Sequence, residues 1–189
     1  MRHGATEWSQ AWRHTGRTDL ALLDVGREQA KALRPHLAHW TFAAIFVSPL
    51  KRALDTAELA GFGARAVIDD DLIEWDYGDA EGRTSKEIRV ERPGWSIWKE
   101  GPVGGETVDD VGRRADRVIE RALSTEGDTL LVAHGHLLRI LTARWLELEP
   151  KAGRLFRLDP ATISVLGWEH DYRTLNAWNR FGAGGEGGN

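Results

Sequence analysis

Short apolar runs alternate along this chain with longer segments in which apolar residues recur every three or four positions. The apolar runs predict buried strands at residues 43–47, 66–68, 129–133, 163–168 and 174–178. The periodic segments predict helices over residues 25–40, 50–60, 108–123 and 136–146. This alternation predicts an α/β fold, a three-layer sandwich whose mostly parallel central sheet carries helices on both faces.

Proline and glycine punctuate this pattern. Pro35 is expected to bend or interrupt the first helix, because it lacks a backbone N–H and its ring clashes with the preceding turn. The last two strands are expected to form a hairpin around residues 170–172. Because 189 residues suit one domain, residues 1–180 are predicted to form a single domain. The glycine-rich residues 181–189 are predicted to be a disordered tail.

Composition excludes several classes of protein. The chain has no cysteine, which excludes disulfide frameworks, a cysteine nucleophile, thiolate zinc sites and iron–sulfur clusters. The longest nearly apolar run, residues 40–47, is far shorter than the ~18 residues that span a bilayer, and no signal segment opens the chain. A net charge of −4 argues against nucleic-acid or acidic-membrane partners. We therefore expect a cytoplasmic protein with neither kind of partner.

Arginine and histidine stand beside small or turn-forming residues at three predicted strand-to-helix junctions. The junctions are residues 2–9, 48–53 and 133–136, with Arg139 one helical turn further on. Ligands of α/β sheets bind at the carboxyl ends of the strands, so these side chains are expected to converge. Two arginines and two histidines at one sheet edge predict a dianionic ligand and a histidine with a nucleophilic or acid–base role.

Each junction also has a simpler explanation. A His-Gly pair at the end of a strand is most often a turn, and a segment such as residues 48–52 is most often a helix start with solvated basic residues. His134 and His136 could bind a metal ion as a His-x-His pair. No acidic ligand follows them at the usual short spacing, which disfavours a zinc site.

Glu74 lies in an acidic segment, residues 69–82, that would ordinarily be a solvated loop. Its neighbours Ile73 and Trp75 can shield a carboxylate from water, as a general acid working near neutral pH requires. Glu74 is therefore the candidate general acid. Residues 104–107, further along the chain, are expected to cap the long helix that follows them.

Taken in order, these segments resemble the histidine phosphatase superfamily, which has the phosphoglycerate-mutase-like fold. The resemblance runs from Arg2 to about Asn179 and rests on five motifs, each weak alone, that stand in the family's order. The motifs are Arg2, His3, Gly4 and Thr6, with Thr15, Gly16, Thr18 and Asp19; Ser48, Pro49, Arg52, Ala53, Thr56 and Ala57; Glu74, Tyr77, Gly78, Glu81 and Gly82; Gly105, Glu106 and Thr107; and His134, Gly135, His136 and Arg139. Residues 74–78 and 95–98 resemble the small branch that includes acid phosphatases and sugar-bisphosphate phosphatases.

The resemblance implies a mechanism and a set of site residues. His3 would attack phosphorus and form a phosphohistidine, and Glu74 would protonate the leaving oxygen and then activate water. The phosphoryl oxygens would be bound by Arg2, Arg52 and His134. The phosphate or substrate pocket would be lined by Ser9, Thr15, Gly16, Tyr77 and the Gly135 amide. His3 is expected to be unprotonated and His134 protonated, with their pKa values pushed apart. Neither a metal nor another cofactor is implied, because the arginines supply the positive charge.

The implied function is that of an enzyme, a histidine phosphatase that hydrolyses phosphomonoesters of a small phosphorylated metabolite. The nearest alternative is a bisphosphoglycerate-dependent phosphoglycerate mutase, although the 30 residues between Glu74 and Gly105 are fewer than such mutases usually have. A catalytically inactive phosphate-recognition module is the alternative from another class, and the presence of every expected reactive residue argues against it. A metallohydrolase is a further alternative. A homodimer formed through an edge strand is the one protein partner left open.

The chain departs from the family's pattern at the first strand, which normally precedes the Arg-His-Gly motif. Only Met1 precedes that motif here. Loss of a central strand would expose apolar surface and unpaired backbone groups. Arg2 and His3 are therefore expected to lie on a frayed terminus, and added upstream apolar residues are expected to raise both stability and activity.

Overall fold

The computed structural model describes residues 1–181 and contains five strands and six α-helices among them. The strands are β1 (Phe42–Val47), β2 (Val67–Ile68), β3 (Asp128–Val132), β4 (Thr162–Glu169) and β5 (Tyr172–Phe181). The helices are α1 (Glu7–Gln10), α2 (Asp24–Leu37), α3 (Lys51–Leu59), α4 (Ser85–Glu91), α5 (Val108–Leu123) and α6 (Gly135–Trp145). Short 3-10 helices cover Gly63–Arg65, Asp70–Leu72, Gly78–Ala80 and Pro150–Leu155. The segment predicted to be a disordered tail begins at the last residue of β5, and the rest of it lies outside the described residues.

The observed elements follow the predicted alternation of strands and helices. Thr107 caps α5 by accepting a hydrogen bond from the Asp110 amide, as expected for the residues that precede this helix. Pro35 does not interrupt α2, which continues to Leu37. Its missing N–H removes one i→i−4 hydrogen bond, and only two helical residues follow it. Within residues 1–181, no helix combines the length and the apolar composition needed to cross a membrane.

The strands form two sheets. β2, β1 and β3 make a parallel sheet in that order, with Ile45 of β1 opposite Leu130 of β3. β4 and β5 form the predicted antiparallel hairpin. Parallel pairing brings the carboxyl ends of β1 and β3 to the same edge, so the residues that follow Val47 and Val132 are neighbours in space.

The first residues of the chain connect the two sheets. The backbone N–H of His3 donates to the carbonyl oxygen of Ala133 over 3.0 Å, and that of Arg2 donates to Thr162 at the start of β4 over 3.1 Å. His3 is 4% exposed and Met1 7% exposed. The expectation of a frayed terminus is therefore wrong, because hydrogen bonds on both sides and burial hold these residues in place.

Helices cover both faces of the parallel sheet. Ile45 and Val47 belong to a core shared with α2 and α3, whereas Phe46 and Leu131 pack against a second core that includes α5 and α6. Side chains alternate between the faces of a strand, so β1 contributes to both cores. The predicted three-layer α/β sandwich is confirmed.

A cavity of about 420 Å³ is lined by both β3 and β4, which are not paired with each other. Its other walls include apolar side chains of α6, such as Leu138 and Trp145. Met1 also lines this cavity, and its amino group donates to the carbonyl oxygen of Leu131 over 2.8 Å. The cavity therefore lies between β3 and β4, next to the residues 1–3 that connect the two sheets.

Candidate active site

His3 is buried where the N-terminal segment meets the end of β3. Its Nδ1 lies 2.7 Å from the carbonyl oxygen of Gly4. A carbonyl oxygen only accepts, so Nδ1 carries the proton and the lone pair of the neutral ring lies on Nε2. A Cβ on Gly4 would lie 2.3 Å from the carbonyl oxygen of Gly26, so only glycine fits beside this histidine.

His134 follows β3 and lies at the N-terminus of α6, and its ring centroid is 5.1 Å from that of His3. Arg52 donates from Nε to Nδ1 of His134 over 3.2 Å. Because a guanidinium has no acceptor, Nδ1 of His134 must offer its lone pair. The proton of the neutral ring is therefore on Nε2, which lies 2.6 Å from the hydroxyl oxygen of Ser48.

The protonation states expected for the two histidines are only half confirmed. Burial, and after it the positive charge of Arg52, holds the pKa of both His3 and His134 well below 6.5. His3 is thus unprotonated, as expected. The expectation of a protonated His134 is wrong, because the ring is buried and accepts a hydrogen bond from a cation. The expected separation of the two pKa values stays a prediction.

Arg52 is fully buried and holds the loop that follows α1. It donates to the carbonyl oxygens of Thr15 over 3.1 Å, Gly16 over 2.9 Å and Thr18 over 2.9 Å. Glu81 completes this loop by accepting from the amides of Gly16 and Thr18. Thr15 and Gly16 therefore contact Arg52 through their carbonyl groups, and their predicted place in the substrate pocket stays a prediction.

Arg2 lies against the N-terminus of α6. A Cβ on Gly135 would lie 3.3 Å from the guanidinium carbon of Arg2, so the absence of a side chain at Gly135 makes room for this contact. One terminal nitrogen of Arg2 donates to the carbonyl oxygen of Leu158 over 2.5 Å. The Nε atom is buried and has no hydrogen-bond partner within residues 1–181. A buried N–H in this state is a ready donor for an anion.

Glu74 is buried at the same helix terminus. One carboxylate oxygen accepts from the amides of Trp75 and Leu137, both over 2.9 Å, and the other accepts from the amide of His136 over 3.0 Å. Burial lowers the pKa of Arg2 and of Arg52, and the charge of Glu74 is the largest effect that opposes it. Glu74 therefore belongs to one electrostatic unit with both arginines.

Arg114 of α5 fixes the segment that carries Glu74. It donates to the carbonyl oxygens of Asp71 over 2.8 Å and Ile73 over 2.9 Å. Its remaining nitrogens form a two-point ion pair with Glu106, at 2.7 Å and 2.8 Å. Sequence reasoning missed this role of Arg114, since the helical pattern of α5 gives no sign that one arginine turns back towards Glu74.

Tyr77, which is buried, and His136, which is half-buried, form a pair beside Glu74. The hydroxyl oxygen of Tyr77 lies 2.6 Å from Nδ1 of His136. Burial raises the pKa of Tyr77 well above 10 and lowers that of His136 well below 6.5, so both groups are neutral. His136 is therefore engaged with Tyr77. No group of three or more His, Cys, Asp or Glu side chains within residues 1–181 is arranged to hold a metal ion.

Ser9 lies in α1, a few residues after His3. Its hydroxyl oxygen accepts from the amide of Thr6 over 2.9 Å, and its hydroxyl donates to the Thr6 carbonyl over 2.9 Å. These contacts cap α1. The predicted role of Ser9 in substrate binding stays a prediction.

This fold and this group of side chains define a class of protein. The histidine phosphatase superfamily (branch 1) matches residues 1–180, and the chain belongs to it.

Individual relatives agree with this assignment. The chain is similar to an acid phosphatase of Mycobacterium tuberculosis, with 40% identity over 179 residues that cover 93% of this chain and 88% of the relative. It is 36% identical to a sedoheptulose 1,7-bisphosphatase of Saccharomyces cerevisiae over 185 residues, 78% of this chain and 66% of the relative. The solved structure of the open reading frame Rv3214 from M. tuberculosis superposes with a TM-score of 0.91 at 39% identity and covers 96% of this chain and 95% of that one. The recognised family is confirmed, and an enzyme that hydrolyses phosphate monoesters is supported.

Proposed function

We propose that the protein hydrolyses phosphomonoesters of a small phosphorylated metabolite through a phosphohistidine formed on His3. The observation that carries this proposal is the tautomer of a buried imidazole. The Nδ1–H of His3 is bonded to the carbonyl oxygen of Gly4, which leaves the Nε2 lone pair to attack phosphorus. The charges of Arg52 and Arg2 act on the same ring and favour the approach of a dianion.

The reaction has two steps. In the first, Nε2 of His3 bonds to phosphorus, the bond from phosphorus to the ester oxygen breaks, and a proton held by Glu74 passes to that oxygen. In the second, Glu74 takes a proton from water, the water oxygen bonds to phosphorus, and the phosphorus–nitrogen bond breaks. Three amides occupy three of about four lone-pair sites on the Glu74 carboxylate, so one site is left for this proton.

The arginines would stabilise the charge on the transferring phosphoryl group, whose reaction depends mostly on positioning and electrostatics. Arg2 supplies a buried Nε–H that has no partner within residues 1–181. Arg52 already makes four hydrogen bonds to protein atoms. It therefore contributes its charge, and direct contact with a phosphoryl oxygen requires it to exchange one of these bonds.

Two observations support a substrate class: the side chains of the site and the activities of similar proteins. The histidine, the two arginines and the carboxylate would all act on the phosphate group. None of them is proposed to bind the remainder of the substrate. The names of the relatives, an acid phosphatase and a sugar bisphosphatase, support a small sugar phosphate as the substrate. We further propose that the enzyme works without a metal ion and in the cytoplasm, since arginines provide the positive charge and the chain has no cysteine.

A phosphate-release screen across sugar phosphates, phosphoglycerates and nucleotides tests this proposal, with His3→Ala as the blank. We expect release from sugar phosphates in the presence of EDTA and a loss of about 1,000-fold or more in His3→Ala. The exposed histidine His39 gives the matched control, and His39→Ala should keep full activity. Full turnover by His3→Ala would overturn the proposal.

The same screen separates the alternatives. Faster isomerisation of 3-phosphoglycerate with bisphosphoglycerate than phosphate release would indicate a mutase. Loss of activity in EDTA would indicate a metallohydrolase. Phosphate binding without turnover of any substrate would indicate a recognition module.

A further inference from the structure

Ser48 is the first residue after β1, and its side chain is fully buried against His134. Its hydroxyl oxygen lies 2.6 Å from Nε2 of His134. The backbone amide of Ser48 donates to the carbonyl oxygen of Val132 over 3.0 Å, which fixes the backbone of Ser48 against the end of β3. Both Ser48 and His134 are 0% exposed, so no solvent competes for this hydrogen bond.

The other nitrogen of His134 determines which group donates. Nδ1 faces Nε of Arg52, which carries a proton and cannot accept. The proton of the neutral imidazole is therefore on Nε2, and the oxygen of Ser48 accepts it. The amide of Leu50 also points to this oxygen, at 3.4 Å. Ser48 is thus the acceptor that makes the observed tautomer of His134 compatible with burial.

Removal of that oxygen would leave the buried Nε2–H of His134 unpaired, which is unfavourable. The ring could relieve this by moving its proton to Nδ1 or by rotating. Either change would place a donor opposite the Nε–H of Arg52 or break their contact. The arrangement of His134 and Arg52 therefore depends on a hydroxyl group that neither of them carries.

We propose that Ser48 is a positioning residue that holds His134 in the Nε2–H tautomer, so that the Nδ1 lone pair of His134 accepts from Nε of Arg52 and keeps that guanidinium in place. This inference rests on the proposed phosphatase function for its catalytic consequence. Its structural part, the tautomer of His134, is independent of any substrate. Ser48 touches His134 and acts on the reaction through the contact of His134 with Arg52.

The test combines Ser48→Ala, the rescue variant Ser48→Thr and the control Thr142→Val. Thr142 is also buried, and its hydroxyl donates to the Leu138 carbonyl within α6 over 2.8 Å. It therefore reports the effect of deleting a buried hydroxyl away from the site. A thermal melt of each variant shows that it is folded.

We expect kcat for a phosphomonoester to fall about 10- to 100-fold in Ser48→Ala with a smaller change in KM, because misplacement of a catalytic group weakens transition-state contacts most. Ser48→Thr should restore most of kcat, since it keeps the hydroxyl. Thr142→Val should match the parent protein. An unchanged kcat in Ser48→Ala, or a similar loss in Thr142→Val, would overturn the proposal.

Long-range ¹H–¹⁵N spectra of histidine-labelled protein read the tautomer directly and need no substrate. We expect His134 to be the Nε2–H tautomer in the parent protein and to lose that state in Ser48→Ala. A parent protein without phosphatase activity but with this change of tautomer would defeat the proposed function and leave the role of Ser48 in orienting His134 intact. An unchanged tautomer in Ser48→Ala would overturn the inference whatever the activity.

Discussion

The imidazole of His3 donates its Nδ1–H to the carbonyl oxygen of the next residue, Gly4, over 2.7 Å. The amide of Gly4 in turn donates to the hydroxyl oxygen of Thr56 over 3.1 Å, and that hydroxyl donates to the carbonyl of Arg52 over 2.7 Å. A chain of hydrogen bonds thus connects His3, the proposed nucleophile, to the helix that carries Arg52. The tautomer of His3 and the position of Arg52 are fixed together before any substrate binds.

Arg2 is predicted to act through the geometry of its guanidinium as well as through its charge. Arg2→Lys keeps a cation but loses the Nε–H that is buried without a partner in the described part of the chain. We expect kcat/KM for phosphomonoesters to fall ~100- to 1,000-fold, as for the loss of one preorganised donor. Arg157, whose side chain is 80% exposed, gives the control, and Arg157→Lys should keep full activity. Full activity in Arg2→Lys would show that charge alone suffices.

The loss of activity caused by removing the Glu74 carboxylate is predicted to be larger for a more basic leaving group. Glu74→Gln keeps the size of the side chain but cannot supply the proton that an alkoxide needs. We expect a loss of about 100- to 10,000-fold for a sugar phosphate and a much smaller loss for p-nitrophenyl phosphate, whose phenolate leaves without protonation. The two rates are compared in the same preparation. An equal loss for both substrates would show that Glu74 acts in some other way than as an acid.

Stability is predicted to fall as the pH is lowered below 8. Burial lowers the pKa of the Met1 amino group from 8.0 to about 5 and that of His3, His134 and His136 well below 6.5. The unfolded chain therefore binds protons that the folded chain does not, first at the amino group and then, below pH 6.5, at the histidines as well. Each group lowers the free energy of unfolding by about 1.4 kcal/mol per pH unit until the pH reaches its folded-state pKa.

Urea unfolding at several pH values between 8.5 and 5 measures this dependence, as a slope expected to steepen below about 6.5. His136→Gln should lower the slope below that point, because it removes one imidazole whose pKa is lowered in the folded protein. A free energy of unfolding that stays constant or rises on acidification would contradict the burial of these groups.

Residues added before Met1 are predicted to stabilise the protein by filling the cavity of about 420 Å³ that β3 and β4 line. An extension of five apolar residues matches the five residues of β3 and turns the buried amino group of Met1 into a neutral amide. We expect the free energy of unfolding to rise by about 2 kcal/mol or more, from apolar burial less the entropy of ordering the added residues. An extension of glycine and serine of equal length is the control. It converts the Met1 amino group to an amide without adding apolar side chains. Equal stability of the two extended chains would count against a strand in this cavity.

Much of the fold could be predicted from local patterns. The three-four spacing of apolar residues and the cap at Thr107 predicted α5 at its observed bounds, and continuous apolar runs predicted β1 and β3 to within a residue. Local patterns failed where the environment decides the outcome. Pro35 was expected to bend or interrupt α2, yet the helix continues past it to Leu37. The N-terminal residues were expected to fray, yet two neighbouring segments bind them.

The convergence of His3, Arg52 and His134 followed from their places at strand ends, because parallel strands bring such places to one edge. Their hydrogen bonds could not be predicted in the same way. The role of Ser48 depends on which nitrogen of His134 faces Arg52, and that orientation is set by packing between residues far apart in the chain. The same packing removes water from His134, which is why its expected protonation was wrong.

The proposed mechanism requires the phosphoryl group to be carried for a time on Nε2 of His3. Turnover of a phosphomonoester is quenched in base, which preserves phosphohistidine. The phosphorylated peptide is then identified by mass spectrometry, and ³¹P NMR identifies which ring nitrogen carries the phosphoryl group. We expect one phosphoryl group on Nε2 of His3, and none in His3→Ala. A phosphoryl group on any other side chain, or on Nδ1 of His3, would contradict transfer through Nε2 of His3.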